Sequence, residues 1–243
     1  MGGAGDPASA AAAGSPALAA DAPEALIAAD PALTALPDAL RRSAERHAHL
    51  CPRQVLGARL ALAGAAALGI AVPQVDKRLL AIVESDGCFS DGVAAATGCA
   101  VGHRTMRVED VGRIAATFVD TAGGVAVRVR PQRGVRERLA GWDDGAAALA
   151  AALGVAARWA RYVLAYQRMP DSALLDVVEV ELAVDAAALL SHPDRRAVCR
   201  ACGEEVFNGR EVDTADGPLC RPCADPAGAY YRPRAPRRSS RSA

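Results

Sequence analysis

Seven cysteines and four histidines carry most of the chemistry open to this 243-residue chain. Four of the cysteines form two C-x2-C pairs, Cys199/Cys202 and Cys220/Cys223, with seventeen residues between the pairs. Two thiolates at that spacing can point at one ion from a tight turn. A second such turn completes a tetrahedron of sulfurs, which Zn²⁺ accepts readily. Gly203 follows the first pair, where a residue without a Cβ permits conformations that others resist. Asn208-Gly209, between Glu204-Glu205-Val206-Phe207 and Arg210-Glu211-Val212, reads as a tight hairpin. A module of about 25 residues has almost no core, so metal binding must supply its folding energy. The spacing predicts a structural zinc on Cys199, Cys202, Cys220 and Cys223.

A second constellation spans His47 to His103. In an extended segment His47, His49 and Cys51 face one side, because side-chain direction repeats every two residues. Cys51 falls where the helix opening at Pro52 needs its cap, and the positive end of a helix dipole favours a thiolate there. Cys88 stands near another helix N-terminus, after a predicted strand and before Ser90-Asp91, and Cys99 and His103 lie beyond that helix. If the two N-termini converge at the end of one strand, Cys51, Cys88 and His49 make a sulfur and nitrogen site for a second transition metal, Zn²⁺ by preference. The plainer alternatives are a buried, inert thiol, which suits Cys99 equally well, and a surface residue at His103, beside Gly102 and Arg104.

The elements that must position these groups form an α+β pattern of mixed helices and antiparallel sheet, with a small C-terminal zinc ribbon. Helices are predicted over 38–46 and 53–69, and a buried strand over 79–83. A short helix over 90–97 ends at Gly98. Two alternating runs, 113–119 and 125–130, flank Asp120-Thr121-Ala122-Gly123-Gly124 as a hairpin. Residues 142–167 read as mostly helical, with a Trp159, Tyr162, Val163 and Tyr166 stripe assigned to core packing, and 174–184 as a last strand. Residues 1–36, rich in Ala, Gly, Pro and Ser, read as a disordered lead. The main domain is expected over 37–190, a linker over 191–196, the ribbon over 197–226, and a disordered arginine-rich tail over 227–243.

The run His47-Ala48-His49-Leu50-Cys51-Pro52, followed by Leu56-Gly57-Ala58-Arg59, resembles the opening motif of the FmdE family, named for formylmethanofuran dehydrogenase. So do Cys88-Phe89-Ser90-Asp91-Gly92, leading into Thr97-Gly98-Cys99-Ala100-Val101-Gly102, and the fragment Asp110-Val111-Gly112-Arg113. Some members end in a four-cysteine finger, and the finger here is similar to small zinc ribbons and to that of the TraR/DksA family. The resemblance implies an α+β domain, a homodimer, and a metal held by His49, Cys51 and Cys88. His47, Asp91 and Cys99 are implied as further ligands or as supports for them. It also implies association with a molybdenum or tungsten enzyme that interconverts carbon dioxide and formylmethanofuran. The chain departs from the pattern at Ala48 and Arg53, where glycine is common, and at Arg113, where lysine is commoner.

Composition narrows the field. With 28 basic and 28 acidic residues the formal net charge is zero, so no global pull towards nucleic acid or membrane is implied. The longest apolar run, Leu60 to Val72, is shorter than the roughly 20 residues a bilayer needs. The N-terminus carries Asp6 and Asp21 in place of a basic signal-peptide region, which points to the cytoplasm. Aromatic residues make up 4% of the chain, and no aromatic-lined ligand box is legible in it. Three readings follow, none naming a reaction. The first is a metal-dependent or metal-handling accessory to a molybdenum or tungsten redox enzyme. The second is a regulatory protein whose ribbon and arginines at Arg232, Arg234, Arg237, Arg238 and Arg241 engage nucleic acid or the transcription machinery. The third is thiol redox chemistry at Cys51 and Cys88.

Overall fold

The computed structural model describes residues 26–27, 33–47, 49–142, 145–190, 192 and 194–232. The chain divides into two compact units whose boundary falls between Ala186 and Ala187. In the first, α1 (Leu36–His47) buries Leu36, Ala39, Leu40, Ser43 and Ala44, the three-and-four spacing of a helix with one apolar face. Helix α2 (Pro52–Ala67) is buried along most of its length and forms the centre of the unit. Strand β1 (Leu79–Val83) leads into α3 (Cys88–Thr97), which ends at Gly98 in the left-handed conformation.

Two glycines set how closely α2 and α3 approach. A Cβ on Gly57 would overlap the Phe89 carbonyl oxygen, and one on Gly92 would overlap the Gln54 carbonyl oxygen. The helices therefore touch backbone to backbone at their N-terminal ends, each glycine receiving the other helix. Helix α1 is tied to both: Gln54 Nε2 donates to Ser43 O and Oγ at 3.2 and 3.0 Å, and Arg42 Nε donates to Ala95 O at 2.9 Å.

The sheet comprises β1, β2 (Met106–Val108), β3 (Ala116–Asp120), β4 (Ala126–Pro131) and β5 (Leu175–Val180), in the order β2-β1-β3-β4-β5. All neighbours are antiparallel except β1 and β2, which run parallel because α3 carries the chain across between them. Ala81, Phe118 and Val127 are successive cross-strand partners on the face that α2 covers, and the Phe118 ring packs on Gly64.

Between β4 and β5 the chain forms α4 (Val135–Ala140), α5 (Ala146–Leu153), α6 (Ala157–Arg168) and α7 (Asp171–Leu174). The mostly helical stretch expected over 142–167 is divided between α5 and α6, because Gly154 adopts φ +64° and closes α5. Arg59 of α2 is buried and secures α6. Its guanidinium donates to the Tyr166, Gln167 and Met169 carbonyls at 2.6 to 2.9 Å and to Asp171 Oδ1 at 2.6 Å. These carbonyls end a helix and have no intrahelical partner. Arg59→Met should cost on the order of 3 kcal/mol, since several charge-assisted bonds are lost together and the carbonyls remain buried. Chemical denaturation checks this, and a midpoint equal to the parent's would show the bonds to be dispensable.

Leu26, inside the expected disordered lead, is buried, and its carbonyl accepts from Gln167 Nε2 at 2.8 Å. Most of the rest of that lead, and residues 233–243 of the expected tail, fall outside the described residues. After α8 (Ala186–Leu189), the second unit pairs β6 (Arg196–Val198) antiparallel with β7 (Glu205–Phe207) and ends in α9 (Arg221–Ala224). Arg196 therefore belongs to a strand, not to a linker. The expected hairpin across Asn208-Gly209 also needs correction. Both residues have positive φ as a tight turn requires, yet β7 pairs backwards with β6, while Val212 bridges to Leu219. Among the described residues no helix is long and apolar enough to cross a membrane.

Candidate metal centres and the cavity beside them

The four sulfurs of Cys199, Cys202, Cys220 and Cys223 lie within 4.8 Å of one another. The first pair sits on the turn between β6 and β7, closed by Gly203 N–H donating to Cys199 O and Cys199 N–H to Glu204 O. The second pair opens α9, with Cys220 at its cap. Backbone N–H groups of Cys202 and Cys220 aim at the Cys199 sulfur and pull its thiol down to about 6. Hydrogen bonding to Cys220, burial and the other two sulfurs push Cys223 up to about 12. Four thiols so crowded resist ionising together, and a cation among them removes that conflict. The cluster is a tetrathiolate site able to hold a metal ion.

Three helix ends build the second site. The last residue of α1 is His47, the cap of α2 is Cys51, and the first residue of α3 is Cys88 with Asp91 one turn on. His47 Nδ1 lies 2.8 Å from Asp91 Oδ2, and its Nε2 lies 3.2 Å from Cys88 Sγ. The His49 ring stands 4.6 Å from that of His47. At the α2 cap, Gln54 Oε1 accepts the Cys51 N–H at 2.6 Å. Burial pushes the Cys51 thiol up to about 11, against the Gln54 and Arg53 N–H groups that point at it, and neighbouring Cys88 adds to the rise. In the metal-free thiol, burial thus opposes the lowering expected at a helix N-terminus.

The structure thus brings His47, His49, Cys51, Cys88 and Asp91 together and leaves Cys99 out. Cys99 follows the far end of α3, about 15 Å along a ten-residue helix. It is buried, and its thiol donates to Leu79 O at 3.5 Å. It is a core residue and not a ligand or a support of one. His103 is exposed on a turn. Among the described residues, the ribbon cysteines are the only set of three or more His, Cys, Asp or Glu ligand atoms within 4.8 Å of one another. The donors of the second site are nonetheless apt for a transition metal: two sulfurs and imidazole nitrogen, with one ring oriented through its other nitrogen by a carboxylate.

A cavity of about 830 Å³ opens beside them. His49, Cys51 and Cys88 form one end. Trp159, Tyr162 and Tyr166 of α6 form a wall, and Arg53, Arg136 and Arg158 also line it. The aromatic stripe assigned to core packing therefore needs dividing: Val163 is core, while the three rings also face this cavity. Helical spacing showed that they share a face, but what packs opposite that face is decided by distant β4 and α2.

Glu84 anchors the loop that brings Ile114 to the cavity. Its carbonyl accepts from Val111 and Arg113 N–H, which fixes the Asp110-Val111-Gly112-Arg113 motif beside the end of β1. Arg128 bonds both its carboxylate oxygens at 2.5 and 2.8 Å, and Arg113 Nε adds a contact at 2.7 Å. The Arg128 hydrogen bonds and the charges of both arginines hold the Glu84 carboxyl below its ordinary 4.5, in spite of burial. A depressed folded pKa contributes stability that is present above the unfolded value and lost as pH falls through the folded one. Acidification from about pH 6 to about pH 3 should therefore destabilise the parent more than Glu84→Gln, which carries no such proton linkage. Urea midpoints of both proteins check this, and equal losses would refute it.

A mixed α+β domain with thiols and imidazoles at a cavity mouth, followed by a four-cysteine metal module, is the class this chain defines. The sequence profile of the family described as FmdE, molybdenum formylmethanofuran dehydrogenase operon, matches residues 46–176. That is more than half of the chain, and the chain belongs to this family. A protein of Archaeoglobus fulgidus described as a probable S-adenosyl-L-methionine-binding protein is 39% identical over 93 residues. The match covers 37% of this chain and 25% of that protein, so the chain spans about a quarter of that relative's length. The crystal structure of a tungsten formylmethanofuran dehydrogenase FmdE-like protein from Syntrophus aciditrophicus has the same fold, with a TM-score of 0.50 and 19% identity. That similarity covers 80% of this chain and 94% of the other.

Proposed function

We propose that the main domain binds a transition metal, Zn²⁺ by preference, through Cys51, Cys88 and the paired histidines, and serves a molybdenum or tungsten enzyme of the formylmethanofuran dehydrogenase type as a metal-dependent or metal-handling accessory. The observation that carries this is the Asp91–His47–Cys88 chain of contacts with Cys51 alongside, set at the end of a cavity. A carboxylate that fixes one nitrogen of an imidazole and turns the other towards a thiol is the arrangement that supports metal-ligating histidines. A metal ion held there supplies Lewis-acid polarisation of a substrate oxygen. The chain's own residues supply the cavity: α6 walls it with aromatic surface, and the arginines present positive charge. The ribbon is read as a structural Zn²⁺ site, and the protein as a cytoplasmic homodimer. Support for pairing comes from β5, a sheet edge with exposed Val177 and Val178.

Elemental analysis of the intact chain and of Cys51→Ser/Cys88→Ser tests the reading. Two ions per parent chain and one per variant chain are expected. One ion in both would defeat it. The adjacency of Cys51 and Cys88 then favours a second reading, reversible dithiol chemistry, which a thiol count under oxidant and reductant would reveal.

A further inference from the structure

We propose that the cavity beside Cys51 and Cys88 binds a small planar aromatic compound carrying at least two acidic groups, with its ring against α6 and its acids on the arginines. This rests on the functional reading only for what happens at the thiol end, since the recognition argument uses other residues.

Charge is the first observation. Arg53, Arg136 and Arg158 all line the cavity, and Glu137 is the sole carboxylate among its described lining residues. Several other arginines of this unit are matched to acids, Arg128 and Arg113 to Glu84, Arg78 to Asp120, Arg130 to Asp176 and Arg59 to Asp171, while Arg42, Arg138 and Arg161 donate to backbone carbonyls. None of the three cavity arginines has a carboxylate partner among the described residues. Among the described lining residues a single acid, Glu137, stands against these three positive charges, and a ligand with two or more negative charges complements them. Guanidinium groups bind carboxylate and phosphate through paired N–H donors, so either acid satisfies them.

The wall is the second observation. Trp159, Tyr162 and Tyr166 follow one another at helical spacing and present ring surface to the cavity. The Arg158 guanidinium already sits 5.7 Å from the Tyr162 ring centroid, so charge and ring surface are adjacent. A ligand with an acid next to a flat ring meets both in one pose. The volume of about 830 Å³ lies within the range that encloses small organic ligands. Arg53 stands on the first turn of α2, two residues from Cys51, and places the third positive charge beside the thiol end.

Quenching of tryptophan fluorescence in the full-length protein, with metal content measured on the same sample, reads binding directly. The probes are benzene-1,3,5-tricarboxylate, its neutral analogue benzene-1,3,5-tricarboxamide, and adenosine 5′-diphosphate. At least one anionic probe should bind tenfold or more tightly than the tricarboxamide, and the tighter of the two identifies the preferred acid as carboxylate or phosphate. Arg136→Ala/Arg158→Ala should weaken that anion at least tenfold. Glu137→Gln should tighten it several-fold, a gain that misfolding cannot mimic. Equal binding of charged and neutral probes, no binding of either anion, or indifference to all three substitutions would overturn the proposal. If anion selectivity holds while Cys51→Ser/Cys88→Ser keeps the parent's metal content, the metal reading fails and this one stands. A lost ion with no anion selectivity gives the reverse.

Discussion

Stripping the metal from the four-cysteine cluster is expected to unfold residues 196–224 while the larger unit remains folded. Cys199 and Asn208 are the buried residues in the described stretch 194–232, and Val198, Phe207 and Tyr230 are largely exposed. Two three-residue strands and a single turn of helix cannot offset their own ordering entropy. The missing stability must come from the cluster, where metal binding is worth on the order of 10 kcal/mol or more. Backbone amide exchange, read residue by residue before and after chelation, measures this. The amides of Cys199, Val212 and Leu219, which close the turns around the sulfurs, should lose protection together. Protection that persists without metal, or in Cys223→Ser, would show that the cluster does not fold the unit.

The second large effect is expected at the glycine contact between α2 and α3. Gly92→Ala places a methyl group on the Gln54 carbonyl oxygen, with Ala58 N at 3.0 Å as the next obstacle. These are backbone atoms of a buried helix, so no rotamer change relieves the overlap. The helices must move apart, at a cost of about 3 kcal/mol, the upper end for overpacking. Gly57→Ala meets the same barrier from the other side at the Phe89 carbonyl. Because the two substitutions spread one interface, their costs should add to less than the sum. Moving the N-termini apart also separates Cys51 from Cys88, so either variant should lose the second metal ion while retaining the ribbon's. Urea denaturation and elemental analysis give both numbers. A variant with the parent's midpoint and metal content would mean that the thiols meet by some other constraint.

These two expectations differ in how far the sequence supports them. The ribbon was legible because its ligands are two local turns, and a C-x2-C pair states its own geometry. Its internal pairing was not, since Asn208-Gly209 specifies a turn without saying which strand Glu205–Phe207 will meet. The α+β class, β1, and the ends of α1, α2 and α3 to within a few residues followed from periodicity and capping residues, which act over one or two turns. The parallel pairing of β1 with β2 did not, because β2 is three residues long and gains its partner only through the crossover of α3.

By itself the sequence determined which residues could be ligands and that two cysteines begin helices. The tertiary structure decided which of them meet. Cys88 and Cys99 belong to opposite ends of α3, and a ten-residue helix is stiff, so only one can reach Cys51. His47 emerged as the neighbour of Cys88, with Asp91 behind it, because Arg42 and Gln54 lock α1 against the other two helices. Burial raises the Cys51 thiol against the backbone N–H groups at the helix end, and burial depends on everything packed around that end. The cavity has no sequence signature, since its thiol end, aromatic wall and arginines come from segments as far apart as His49 and Tyr166. Buried Arg59 holds α6, and with it the aromatic wall, against the helix that carries Cys51. Local chemistry is written in adjacent residues, but a site assembled from three helix ends exists only once long-range packing has placed them.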